Sequence, residues 1–401
     1  MPDYRPLSDD EMDDFHSYVQ YAFSISEGPW SPDEDEESND SDDETSELGE
    51  EYGFFANDEL VSVCKHYHWQ TWVRGDRHPL VGLSAVATPP EHRRSGYVRD
   101  MLHAALTTYR DDGNYLSVLW PFKHPFYERL GWGTAYHGYE HTCDPDALAE
   151  FRGRHGGDWR RLEADDWAAM VPVHDAHGSA YELTIEREEE WWRNRIFQGW
   201  KKDPFVYGYE RDGELAAYVS FVVSDGDDGD VLRTQDVAWV DHDAREAIYG
   251  FLARHDSQVD QVGFWNMDDD LLWQVDDPDE IETKCHAAAM FRLVDVPAAL
   301  EATTYSPSVD AEFVLEVRDP IADWNDRRFR VSVSDGDASV DRPETDDADA
   351  SLRIDALSQL YVGARDVEFL TRTDRLDADD QTATTLDALF PESSVLLREG
   401  F

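Results

Sequence analysis

Apolar residues at Val98, Met101, Leu102, Ala105, Leu106 and Tyr109 follow the spacing of one helix face, so residues 97–111 are expected as an amphipathic helix packed on a sheet. The run before it, Val81 to Ala87, is a strand that cannot continue through Pro89 and Pro90. Further upstream, Phe15, Val19 and Phe23 recur every fourth residue and predict a helix over 12–23. Strands over 52–57 and 59–73 meet at Asn57-Asp58, a hairpin signal. A strand over 115–120 and a loop-helix, FKHPFYERLGWG, complete an α–β–β–β–α–β–α order ending near Asp146. A second stretch repeats this grammar, with helices over 165–177 and 186–198, strands over 205–211, 214–223 and 232–240, a helix over 244–255 and a strand over 259–265. From Pro297 the texture changes to strands at 312–318, 328–334 and 350–354, a turn at Asp335-Gly336, and short helices near 356–362 and 382–390. The expected domains are therefore 1–146, 147–296 and 297–401, and the fold class is α+β.

The turn between the 81–87 strand and the 97–111 helix, VATPPEHRRSGY, has the layout of a pyrophosphate cradle. Backbone N–H groups of residues 94 to 98 lie at the free start of a helix, where the positive end of the helix dipole favours an anion. Gly96 leaves room for a phosphate to approach bare backbone. Arg93 and Arg94 could be an ordinary solvated pair, yet in so acidic a chain two adjacent cations at a helix start point to a phosphate, and Arg94 lies nearer Gly96. The corresponding turn of the second stretch, VAWVDHDAREA, has neither paired arginines nor glycine, so that copy is expected to keep the architecture without the ligand.

Charge changes the picture of the surroundings. The 401 residues carry 35 Lys and Arg against 88 Asp and Glu, a formal charge of −53, with only five lysines among the cations. Evenly spread acidity with few lysines suits a haloarchaeal-type protein in concentrated salt, where a Debye length of roughly 3 Å at 1 M screens self-repulsion. Nucleic acid and anionic membrane surfaces are poor partners for such a chain. The block at 31–51, SPDEDEESNDSDDETSELGEE, is expected as a disordered acidic insertion. No stretch reaches eighteen apolar residues, and the acidic N-terminus does not resemble an export signal, which points to a cytoplasmic protein. Cys64, Cys143 and Cys285 form no CxxC pair. Cys64, His66 and His68 alternate on a predicted strand and so share a face, as metal ligands or as the lining of a pocket; the pocket is favoured and no metal is expected. His174 and His177 are expected on an exposed helix face, and no Gly-x-Ser-x-Gly elbow accompanies them.

The turn VATPPEHRRSGY, the loop PFYERLGWG, the second copy without a cradle and the C-terminal α+β segment together resemble the Eis (enhanced intracellular survival) family of GNAT N-acetyltransferases, over nearly the whole chain. The usual GNAT loop reads R/Q-x-x-G-x-G/A, whereas Arg93-Arg94-Ser95-Gly96-Tyr97-Val98 ends in valine. The resemblance implies two tandem GNAT-like α/β domains followed by a sterol-carrier-like domain, assembled as a homo-oligomer, a hexamer or a trimer. It implies acetyl transfer from acetyl-CoA to a primary amine. A small, cationic acceptor is expected if the cleft shares the chain's acidity, although salt alone demands an acidic surface. Cofactor contacts would fall on Val86, Ala87, Thr88, Arg94, Ser95, Gly96, Tyr97, Val98 and Arg99, with Phe122 and Lys123 beside the thioester. Tyr127 would be the general acid, and the α-carboxylate of Phe401 the general base or amine anchor. Without the resemblance, Tyr127 reads as a core aromatic between Phe126 and Trp132, and a terminal residue as normally frayed, although Leu396, Leu397 and Phe401 suggest an apolar tail able to dock. The competing function is a non-catalytic ligand-binding or lipid-binding scaffold on a degenerate GNAT pair, which would need neither the cradle nor Tyr127.

Overall fold

The computed structural model describes residues 3–31, 48–199, 202–226, 229–344 and 347–401. Most of the acidic block expected to be disordered lies outside these residues. Its last two, Glu50 and Glu51, open a strand.

The chain divides into two compact units, one of residues 1–135 with 289–401 and the other of residues 136–288. The first begins with β1 (Asp3–Pro6), α1 (Met12–Phe23), β2 (Glu50–Ala56), β3 (Glu59–Val73), β4 (Asp76–Ala87), α2 (Tyr97–Asp111), β5 (Leu116–Leu119), α3 (His124–Glu128) and β6 (Gly133–Thr134). The second holds β7 (His137–Cys143), β8 (Asp158–Arg161), α4 (Trp167–Gly178), α5 (Glu189–Trp191), β9 (Phe205–Arg211), β10 (Glu214–Gly226), β11 (Gly229–Trp239), α6 (His242–Leu252), β12 (Gln261–Asn266) and β13 (Glu282–Ala287). The chain then returns to the first unit with β14 (Met290–Leu293), α7 (Val296–Ala302), β15 (Ala311–Arg318), β16 (Arg328–Ser334), β17 (Asp337–Asp341), β18 (Ala350–Arg353), α8 (Ile354–Tyr361), α9 (Val367–Arg372), β19 (Leu376–Ala378) and α10 (Asp380–Leu389).

Among the described residues the first unit holds a seven-stranded sheet, β1-β2-β3-β4-β5-β14-β6, and a five-stranded sheet, β17-β16-β15-β18-β19. The second unit has one seven-stranded sheet, β13-β7-β12-β11-β10-β9-β8. Strand pairing thus places 137–143, ahead of the expected boundary at 146, in the second unit's sheet, and 290–293, ahead of 296, in the first unit's sheet. Periodicity shows that such segments are strands, not which sheet receives them.

Turn chemistry accounts for the hairpins. Asn57 and Asp58 take φ of 53° and 65°, the two left-handed residues of a tight turn, and Asp212-Gly213 and Asp335-Gly336 do the same. The 97–111 face packs as its spacing predicts, burying Met101, Leu102, Ala105, Leu106 and Tyr109.

Two expectations need correction. The helix expected over 186–198 is a short α-helical stretch followed by a π-helical turn, Trp192–Ile196, closed by Phe197 N–H donating to Trp192 O at 3.2 Å. Adjacent Trp191 and Trp192 are both buried there. His174 and His177 are also buried rather than exposed, with their rings edge-on to Trp192 and Trp239. Two tryptophans distant in sequence cover them, and local spacing cannot show that.

Candidate active site

The site grows out of a fault in the first sheet. β4 pairs with β5 in parallel only at Leu80, Val81 and Gly82, opposite Leu116, Ser117 and Val118. Beyond Gly82 the two strands are no longer paired, which leaves the β4 backbone edge of residues 83–87 without β5 as a neighbour. A bulge accentuates the parting. Val63 pairs with Ala87 but Lys65 with Ser84, so Ala85 and Val86 together face Cys64, and Ala85 takes a φ of 49°. Ser62 Oγ ties the strand end down, donating to Ala87 O at 3.0 Å and lying 2.8 Å from Thr88 Oγ1.

The next turn supplies donors. α2 starts on Gly96 at φ 90°, and a Cβ built there would meet nothing within 4 Å. The N–H groups of Tyr97, Val98 and Arg99 meet no acceptor among the described residues, and Asp100 N–H is the first to close a helical bond, to Gly96 O at 3.2 Å. The two arginines have different tasks. Arg93 Nε donates to Thr88 O at 2.9 Å and its guanidinium lies 5.2 Å from the Tyr21 ring centroid, so it braces the turn. Arg94, at φ 62° and exposed, has no partner among the described residues. Ser95 is exposed beside it, whereas Arg99 is engaged through Nη2 with Pro320 O.

The start of α6 in the second unit is the opposite case. There the Asp241 carboxylate accepts Ala244 N–H at 2.9 Å and also pairs with Arg211, so the helix start is occupied by the chain's own anion.

Tyr127 sits on α3 in the apolar cluster that also holds Val81, Leu83, Leu119 and Met101, and against which Val86, Tyr97, Val98 and Phe126 pack. Phe122 and Phe126 place ring centroids 5.7 and 5.0 Å from its own, and Phe122 is 65% exposed at the rim. Lys123 is the exposed N-cap residue of α3. Burial, with the nearby Cys64 thiol adding to it, raises the Tyr127 pKa well above that of a free phenol, so it remains a proton donor through the neutral range. Its hydroxyl has no hydrogen bond among the described residues.

Leu130, Gly131 and Trp132 follow α3 and are clamped by Arg292. Its Nη1 donates to Leu130 O at 2.6 Å, its guanidinium lies 5.0 Å from the Trp132 ring centroid, and its Nη2 pairs with the fully buried Asp319. A Cβ at Gly131 would come within 1.8 Å of Arg292 Nη1, so the glycine is required.

The chain terminus docks on the other face of the same sheet. Tyr67 is the cross-strand partner of Gly82, and Trp69 lies so close over Gly82 that a Cβ would meet its ring at 2.4 Å. The Phe401 ring rests edge-on to Tyr67 and Trp69, at 5.5 and 4.9 Å, and also touches the Gly82 position. Trp120, which follows β5, donates from Nε1 to Glu399 O at 2.7 Å. The last residues are thereby held at the mouth of the parting, since Gly82 is the final β4 residue paired with β5. Local sequence reasoning missed this platform. A glycine inside an apolar strand was the available signal, because it marks close approach.

Cys64 and His66 face α2. Tyr4 Oη is 2.7 Å from His66 Nε2 and 3.3 Å from Cys64 Sγ, and His66 stacks on Tyr52. Burial pushes the thiol up to about 12 and the imidazole down to about 3, so the pair is neutral core. His68, alternating with them, is exposed.

Residues 3–135 and 183–293 match acetyltransferase (GNAT) domain families, and residues 296–398 match a sterol carrier protein domain family. The chain is a GNAT-type acetyltransferase. Two GNAT domains followed by a sterol-carrier-like domain agree with the α+β class expected from the pattern. The acetyltransferase is 27% identical over 366 residues to an uncharacterized N-acetyltransferase of Streptomyces griseus, covering 86% of this chain and 87% of that one. It is 29% identical over 336 residues to N-acetyltransferase Eis of Mycobacterium tuberculosis, covering 78% of each. Its fold is that of a probable N-acyltransferase from Enterococcus faecalis (TM-score 0.85, 22% identity, all of both chains) and of Eis1 from Mycobacterium abscessus (TM-score 0.76, 24% identity, all of both chains).

Proposed function

We propose that this acetyltransferase is Eis-like and transfers acetyl from acetyl-CoA to a primary amine of a small cationic acceptor. The observation that carries the reading is the contrast between two helix starts, with donors free beside Gly96 and Arg94 at α2 and a carboxylate already seated at α6. The N–H groups of residues 97–99 and the Arg94 guanidinium would hold the diphosphate. Val86, Ala87 and Thr88 offer the backbone edge for the rest of the cofactor, Ser95 lines the turn, and Phe122 and Lys123 stand at the rim. The free β4 edge provides an N–H to polarise the thioester carbonyl, and Tyr127 protonates the departing thiolate. A carboxylate of reference pKa about 3.5 is too weak to strip an ammonium outright, so the Phe401 terminus anchors the amine and relays its proton through water.

Spread acidity supports a cytoplasmic, salt-adapted setting, and the Eis likeness supports a homo-oligomer. Among the described residues no helix is long and apolar enough to cross a membrane. The test is calorimetric titration of acetyl-CoA into the full chain in molar KCl, followed by a panel of amines assayed for thiol release. Saturable binding that is lost in Gly96→Glu, with amine-dependent release, supports the reading. No binding by the wild type overturns it.

A further inference from the structure

The start of α6 carries side chains that acetyl transfer leaves unused. His242, Asp243 and Glu246 occupy its first turns, and His155, from the loop before β8, reaches over the same turns. His155 Nε2 contacts Glu246 Oε2, His155 Nδ1 is 3.9 Å from Asp243 Oδ2, and His242 Nε2 is 3.5 Å from Glu246 Oε1. One ligand atom from each of His155, Asp243 and Glu246 can be chosen so that all lie within 4.8 Å of one another.

We propose that His155, Asp243 and Glu246, with His242 as a fourth donor, form a site for a divalent transition metal of the zinc class. Four ligands at about 2.0–2.2 Å in a tetrahedron stand roughly 3.3–3.6 Å apart, so the three whose ligand atoms already lie within 4.8 Å of one another close with movements on the order of 1 Å. His155 Nε2 and Glu246 Oε2 are in hydrogen-bond contact and must part by about 1 Å to admit the metal between them, from a half-buried imidazole at 18% exposure and a buried carboxylate at 9%. The two that must swing are the exposed ones, Asp243 at 61% and His242 at 59%. Imidazole and carboxylate without thiolate select Zn, Co or Ni over the oxygen-seeking Mg and Ca. Arg154 Nη1 holds Glu246 Oε1 at 2.8 Å. That leaves Oε2 for the metal while fixing the carboxylate's orientation, the usual role of a hydrogen-bonding group behind a ligand. The metal would staple the loop ahead of β8 to the first turns of α6.

The test is titration of metal-stripped full-length protein with Co²⁺ in KCl, read by visible absorption. One equivalent should produce the intense d–d bands of a four- or five-coordinate site, and Zn²⁺ should displace them and raise the thermal midpoint. Asp243→Asn, at an exposed position that does not threaten folding, and His155→Gln should each weaken binding by at least about tenfold, while Cys285→Ser leaves it unchanged. No saturable uptake below about 1 mM, uptake indifferent to both substitutions, or a thiolate-to-cobalt band that vanishes in Cys285→Ser would overturn the site.

Discussion

Single side chains set the chemistry of the cleft. Tyr127 is a phenol held protonated by its apolar surroundings, and Tyr127→Phe keeps the ring packing while deleting the proton. Stopped-flow thiol release should slow by at least about tenfold, roughly 1.4 kcal/mol of barrier, with acetyl-CoA affinity unchanged. An unaltered rate would return Tyr127 to the core. The arginine pair should separate by parameter. Arg94→Ala should weaken acetyl-CoA binding directly by removing a charge-assisted phosphate contact, about 1.5–3 kcal/mol, whereas Arg93→Ala frees Thr88 O and should also lower the melting temperature. His66 shows how burial becomes pH dependence. Its folded pKa of about 3 lies below an unfolded value near 6.5, so its contribution is complete above pH 6.5 and is lost as pH falls toward 3. At pH 5 it costs about 2 kcal/mol. Denaturant titrations at pH 7 and pH 5 should show that difference shrink in His66→Gln, which keeps a partner for Tyr4; an unchanged difference would remove His66 as its source.

At the scale of elements, the docking of the tail depends on one glycine. Gly82→Ala would push a methyl into Trp69 and Phe401, and such overpacking costs about 1–3 kcal/mol. Phe401 moves more easily than Trp69, which is held in the sheet, so the tail should give way. Steady-state kinetics should then show a raised acceptor KM with acetyl-CoA binding retained, and deletion of Phe401 should lower turnover by a similar route. Equal kinetics from wild type and Gly82→Ala would detach the tail from the mechanism. Much of this level was legible beforehand. The 12–23 and 97–111 helices and the Asn57-Asp58 turn follow from spacing and turn residues alone. The bulge at Ala85 and the platform of Tyr67 and Trp69 were not legible, because each is defined by what a neighbouring strand or a distant tail does.

For the whole molecule the dominant quantity is −53 of formal charge. Self-repulsion on that scale should make melting temperature rise with KCl and level off near 1 M, where the Debye length is about 3 Å. Circular dichroism across a KCl series reads this directly, and a flat response would remove the salt adaptation. The first unit is discontinuous in sequence, and the Arg292–Asp319 pair, with no exposure on either side chain, joins β14 to the segment after β15. Arg292→Met would leave the Asp319 carboxylate buried without its cation, a loss of about 3–5 kcal/mol; Asp319→Asn in the same chain, which removes the charge and keeps an acceptor oxygen for the Ile321 and Ala322 N–H groups, should recover part of it. Chemical denaturation of the two variants decides it.

The amino-acid order alone determined what depends on near neighbours: which stretches coil or extend, where hairpins turn, and that a glycine beside paired arginines opens a helix. Helix faces, turns and helix starts are written within about a dozen residues, so their physics is local. The tertiary structure decided which sheet receives 137–143 and 290–293, which arginine is left unpartnered, and that Phe401 lies against Gly82. Those outcomes depend on strand pairing and burial between residues up to hundreds of positions apart, and no local pattern encodes the partner.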